Sequence, residues 1–304
     1  MKKIVLLLLL IVANFSGVNA QLLYRITGKN LQSPSYIVGT YHLAPATFID
    51  SIPGANIALG EVEQVCGEVV MSEMSSFVNQ RKVQSALMLP DGKSIADVLT
   101  SEQMDKLNVY MTSVLGADFN NPMIKMAMGN MTPKAISLQL QLLQYMKGTP
   151  NFDPNNLIDS HFQILGKKAG KAIVGFESAD FQIELLYKST PLERQIVQLM
   201  CMVENDEFYS LQTKHLTEAY FAQDLAKVFE VFEDKLNSQC DSTPEEEDRI
   251  LYDRNSNWVG IMPAMMVEKP TLFVVGAAHL PSERGVIELL RQMGYTVEPV
   301  LPGK

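Results

Sequence analysis

Segments with strand character lie at the two ends of this chain, and helical patterning fills the middle. That separation is the strongest constraint on its fold. Residues 22–27 ("LLYRIT") and 35–40 ("SYIVGT") are short, apolar and rich in β-branched or aromatic residues, and the link "GKNLQSP" between them is turn-rich. They predict neighbouring antiparallel strands. "CGEVVM" (66–71) and "KAIVGFE" (171–177) read as short strands. "TLFVVGAAH" (271–279), "ERGVIELLRQM" (283–293) and "GYTVEPVL" (294–301) read as strand, helix and strand, a parallel βαβ unit. A strand needs another strand to satisfy its backbone, so the ends must meet. The expected fold class is α/β, its sheet built from N- and C-terminal strands with a helical middle layer or insertion over roughly 72–170.

The helical reading rests on periodicity and caps. Residues 53–65 place Ile57, Val62 and Val65 near one face. Thr100 and Gln103 form a capping-box pattern, and Thr132-Pro133 supplies an N-cap and a first-turn proline. "LIDSHFQILGKKAG" is amphipathic and ends at Gly170. Thr190-Pro191 with Glu193, and Thr243-Pro244 with Glu246, predict two more capped helices.

Residues 1–20 have the layout of a secretory signal peptide: Met1-Lys2-Lys3, an apolar run from Ile4, and Val18-Asn19-Ala20 before Gln21. The apolar run is short for a membrane span, so the expectation is cleavage and export, to periplasm or medium, with no stable membrane anchor. The remainder, 21–304, reads as a single domain. Lys and Arg number 25 against 34 Asp and Glu, and no basic cluster exists, which argues against nucleic acid as a partner. There are three cysteines and no C-x-x-C pair, so a thiolate zinc site has no support. Cys66 reads as a buried thiol. Cys201 and Cys240 are available to pair in an oxidising compartment, but spacing alone does not decide it.

Only four histidines occur, and two share one setting: "GTYH" ends at His42 and "GAAH" at His279, each after an apolar run. Glu68 and Glu177 stand at or near the ends of two other short apolar runs. In open α/β sheets, ligand sites lie beyond the carboxyl ends of strands. Glycines such as Gly39 and Gly276 allow sharp turns or close approach there. Two imidazoles and two carboxylates at one sheet edge would suit a divalent cation that activates a water. Each residue also has a plainer reading: a strand-end histidine as a hydrogen-bonded loop residue, the glutamates as salt-bridged residues at a sheet edge with Arg254 as a candidate partner. His161 lies near Asp159 in helical context, and His215 reads as structural. The methionines of "NPMIKMAMGNM" read as core filler.

"RITGKNLQSPSYIVGTYH", "GEVVM", "LIDSHFQILGKKAGKAIVGFES", "YDRNSNWVGIM" and "VVGAAHLPSERGVIELLRQMGYTVEPV" resemble the TraB/PrgY/GumN family, which includes the Tiki metalloproteases. The resemblance implies an erythromycin-esterase/ChaN-like α/β fold and an exported metal-dependent hydrolase that cleaves peptides, with manganese, cobalt or zinc as the ion. It implies His42, Glu68 and His279 as metal ligands, and Glu68, Glu177 and Arg254 as catalytic groups. Asp159, His161, Asn255, Gly39 and Gly276 would support them, and Gln182 follows Glu177 as in the family pattern. Val70 stands where many relatives carry a second acid. The rival expectation is a non-catalytic protein that sequesters a peptide or small ligand in the same cleft.

Overall fold

Strands from the two chain ends do meet. The computed structural model describes residues 21–302, and the expected signal segment lies outside the described residues. The strands are β1 (Leu23–Thr27), β2 (Ser35–Thr40), β3 (Gln64–Gly67), β4 (Ala172–Gly175), β5 (Thr271–Gly276) and β6 (Thr296–Pro299), and they form one sheet in the order β4-β3-β5-β2-β1-β6. β1 and β2 pair antiparallel, as expected from the turn between them. β5 inserts between β2 and β3 and runs parallel to both, while β4 extends the parallel set beyond β3.

β5 and β6 run parallel with a helix between them, as expected, but they are not neighbours, because β6 pairs antiparallel with the free edge of β1. The strand-helix-strand run at the C-terminus therefore crosses over β2 and β1. Periodicity reports the elements but is blind to which edge is open. The third strand also sits earlier than expected, at 64–67 rather than 66–71. Its first residue, Gln64, is buried and donates to the Thr271 hydroxyl (3.2 Å), a polar start that hydropathy does not reveal. The preceding helix correspondingly stops at Glu61.

β2 and β3 are buried at every position and β5 at all but its last. Continuous burial of this kind means that both sheet faces are covered. Packed against the sheet are helices Ala55–Glu61, Ile158–Lys168, Asp253–Glu268 and Val286–Gln292, together with Tyr220 and Val228 from two further helices. A second apolar core lies within the helical middle: Leu107, Met111, Ile136 and Leu140 pack with Leu199 and Met202. The helical layer thus differs from a simple 72–170 insertion. Ile158–Lys168 belongs to the sheet, and Leu192–Glu204 joins the helical core from later in the chain. Thr100 and Thr243 cap their helices with full capping boxes and Thr132 caps its own. Thr190 does not, since Leu192–Glu204 starts after Pro191 without a side-chain cap.

Cys201 and Cys240 form a disulfide with a separation of 39 residues, and Cys66 is a buried free thiol. The bond closes a long loop, so replacing both cysteines by serine is expected to cost about 2–4 kcal/mol. Thermal unfolding with and without reductant checks this: reductant should lower the midpoint of the native protein and leave the double variant unchanged. Among the described residues, no helix is long and apolar enough to cross a membrane.

Candidate functional site

The carboxyl ends of β2, β3, β4 and β5 lie side by side, and each strand carries a glycine in its last two positions: Gly39, Gly67, Gly175 and Gly276. Close approach requires three of them, and a β-carbon on Gly175 would stand 3.0 Å from the Val70 backbone nitrogen. A β-carbon on Gly39 would stand 3.0 Å from the Ala277 backbone, and one on Gly67 would collide with the Gln163 amide. That amide donates to the Val69 carbonyl (2.9 Å) and accepts from the Met71 N–H (2.9 Å). Gln163 therefore fixes the loop that leaves β3, and with it Glu68.

Beyond the strand ends lies a cavity of about 600 Å³. Its walls are largely apolar, with Met71, Met74, Leu186, Leu216 and Phe232 among them, and its lining includes His42, Glu68, Asp159, Arg254 and His279. His161 is not part of the lining, so the structure does not bring it to the site.

Arg254 organises the inner end. It enters from helix Asp253–Glu268, directly after a π-helical turn over Asp248–Tyr252. Such turns often mark functional positions because they redirect the following side chains. All five guanidinium N–H groups are used. Nε donates to Glu177 Oε1 (2.7 Å). Nη2 donates to Glu68 Oε2 (2.5 Å) and Glu177 Oε2 (2.9 Å). Nη1 donates to the Ile250 carbonyl (3.0 Å) and faces His279 Nε2 (3.2 Å). The remaining carboxylate lone pairs are also met. Gly276 N–H reaches Glu68 Oε1 (2.8 Å), the Trp258 indole reaches Glu177 Oε1 (3.0 Å), and Gln182 reaches Glu177 Oε2 (2.8 Å).

His279 is held equally firmly. Asn255 donates through Nδ2 to the Arg284 carbonyl (2.9 Å), which turns its Oδ1 toward His279 Nδ1 (2.6 Å). The network assigns the hydrogen to Nδ1 and leaves the Nε2 lone pair facing Arg254. The Trp258 ring centroid lies 4.4 Å from that of the imidazole, and Phe176 stacks on the indole at 5.0 Å. Burial drives the His279 pKa down to about 3 against the opposing pull of Glu68, and Arg254 and His42 add smaller effects in the same downward direction. The ring is neutral at pH 7. For Glu68, burial favours the protonated form, but the surrounding cations and the Gly276 amide win and hold the carboxyl at about 2. Since His279 carries no charge at neutral pH, Arg254 is the dominant cation there.

His42 forms a separate pair at the mouth. The Thr40 hydroxyl donates to Asp159 Oδ1 (2.5 Å), and Asp159 Oδ2 meets His42 Nδ1 at 3.3 Å. The His42 side chain is 72% exposed. Asp159 raises its pKa from the usual histidine value to about 9, against the effect of desolvation.

The expected ligand set His42, Glu68 and His279 is thus not assembled as a metal centre. His42 is paired with Asp159, Glu68 with Arg254, and the His279 lone pair faces a guanidinium. Among the described residues no group of three or more His, Cys, Asp or Glu is arranged to hold a metal ion. The donor set as oriented does not fit a divalent cation. Arg254, expected as a catalytic group, has no guanidinium N–H left to offer a substrate.

A model of the TraB/PrgY/gumN family matches residues 22–299. The chain belongs to this family. Searches of curated proteins and of solved structures found no match. Of the residues singled out from the sequence, Glu68, Glu177, Arg254 and His279 meet in one strand-end cluster together with Gln182 and Asn255, whereas His42 pairs with Asp159 at the cavity mouth. Thr40, Gln163 and Trp258 escaped the sequence reading. Thr40 reads as the end of a strand, Gln163 as the polar face of a helix, and Trp258 as core. Only the interval between Arg254 and Trp258, one helical turn, carries a signal that the two share a face.

Proposed function

We propose that this TraB/PrgY/gumN protein is an exported hydrolase that cleaves peptides, or small amides and esters of similar size, with His42 as the group that moves the proton. The observation that carries the reading is the pair at the mouth. Thr40 fixes Asp159, Asp159 holds the Nδ1 edge of His42, and the exposed ring borders the cavity. Neutral His42 takes a proton from water through Nε2 as the oxygen attacks the carbonyl carbon. Asp159 stabilises the imidazolium that forms, and the same proton then goes to the leaving nitrogen or oxygen. The Glu68-Arg254-Glu177 cluster and His279 supply a rigid charged inner wall against which the substrate is placed. The apolar sides favour a substrate with hydrophobic side chains. The Cys201–Cys240 bond supports export, since such bonds persist in oxidising compartments.

The consumed N–H groups of Arg254 favour a second reading, capture of a peptide or small ligand without turnover. One experiment separates the two. Residues 21–304 are incubated with a peptide library, and products and retained ligands are read by mass spectrometry. Products from the native protein that vanish in His42→Ala and Asp159→Asn support the hydrolase. Ligand retained intact by the native protein supports capture, and neither product nor ligand sinks both.

A further inference from the structure

We infer that the Arg254 guanidinium occupies the position of a divalent cation in the strand-end cluster, so that the native centre takes up no such ion and the Arg254→Met variant does. The argument is geometric. Four acceptor atoms from the ends of three adjacent strands converge on this one side chain: Glu68 Oε2 after β3, both oxygens of Glu177 after β4, and His279 Nε2 after β5, at 2.5 to 3.2 Å. Two carboxylates and a neutral imidazole are a common ligand set for a divalent transition metal. Here their lone pairs are aimed inward at a single buried cation that the chain itself provides. Asn255 fixes the His279 tautomer that keeps Nε2 unprotonated, which is also the tautomer that a metal would require.

An incoming ion would have to displace a guanidinium bonded at five N–H groups, or sit beside it as a like charge in a buried site. Removing the guanidinium reverses this once the carboxylates and the imidazole close inward, since around the guanidinium they stand too far apart to share one ion. Methionine fills the space of the alkyl chain, and the carboxylates and the imidazole are left facing each other without a cation. This inference does not depend on hydrolysis and holds equally for a ligand-capturing protein.

Manganese titration followed by electron paramagnetic resonance tests it, because the signal of free Mn²⁺ falls when the ion is bound. Native protein should leave the free-ion signal unchanged. Arg254→Met should remove one equivalent and gain thermal stability from added Mn²⁺. Arg254→Met combined with Glu68→Gln should remove none. The inference is overturned if the native protein binds one equivalent in a manner abolished by Glu68→Gln, or if folded Arg254→Met binds none. Should Arg254→Met not yield folded protein, the native and Glu68→Gln titrations decide: no uptake by either supports the inference, and uptake lost in Glu68→Gln overturns it.

Discussion

Arg254→Met is expected to lose about 3–5 kcal/mol of stability at neutral pH, the cost typical of removing one partner from a buried ion pair. The side chains of Arg254, Glu68 and Glu177 are 6%, 14% and 8% exposed, so water does little to replace the lost charge. Urea unfolding at pH 7 measures the loss. Where the native stability exceeds about 6 kcal/mol, within the usual range of about 5–15 kcal/mol, most of the variant stays folded.

The acid side of the stability curve follows from the same cluster. Glu68 is held below its ordinary value, so its contribution is complete above the unfolded carboxyl pKa and is lost as pH falls through about 2. His279 acts in the same direction. Its unfolded imidazole takes up a proton near 6.5 while the folded ring resists until about 3, so stability drops across that window as well. Native stability should therefore decline from about pH 6.5 downward. In Arg254→Met the Glu68 pKa should rise toward its ordinary value, and the carboxyl part of the decline should flatten. An unchanged stability at pH 7 would mean that the cluster contributes nothing net.

His42→Ala should lower kcat/KM by about 10²- to 10⁴-fold on any substrate that the library yields, the span typical for loss of a general acid-base group. The native rate should rise with pH up to about 9, because His42 has to shed its proton before it can act as a base, and Asp159 holds that proton on. Asp159→Asn takes away the opposing charge. The acid limb of its profile should move down toward the usual histidine value, with a lower plateau. A profile that stays in place in Asp159→Asn would remove His42 from the proposed role.

The sequence pattern carried much of this geometry. Two G-x-x-H motifs at opposite ends of the chain did mark two strands that pair, with Thr40 aligned to Gly276. Glu68 and Glu177 were placed correctly at strand ends although the β3 boundary was early, because the glycine before or near each glutamate sets the stop. The hidden part was the pairing of side chains. A histidine and a glutamate at neighbouring strand ends invite a metal, but whether they meet an ion or an arginine depends on where a remote helix delivers Arg254. That in turn depends on a π-helical turn with no periodic signature. The β6 position was equally illegible, since it follows from which sheet edge the hairpin leaves open.

The pairing of β2 with β5 also has a consequence in time. As the chain is synthesised, β2 is among the first strands made and its partner almost the last. Through most of translation the middle of the sheet is missing, and neither the cavity nor the Arg254 cluster exists. A nascent or truncated protein that ends before β5 therefore lacks the assembled strand-end cluster.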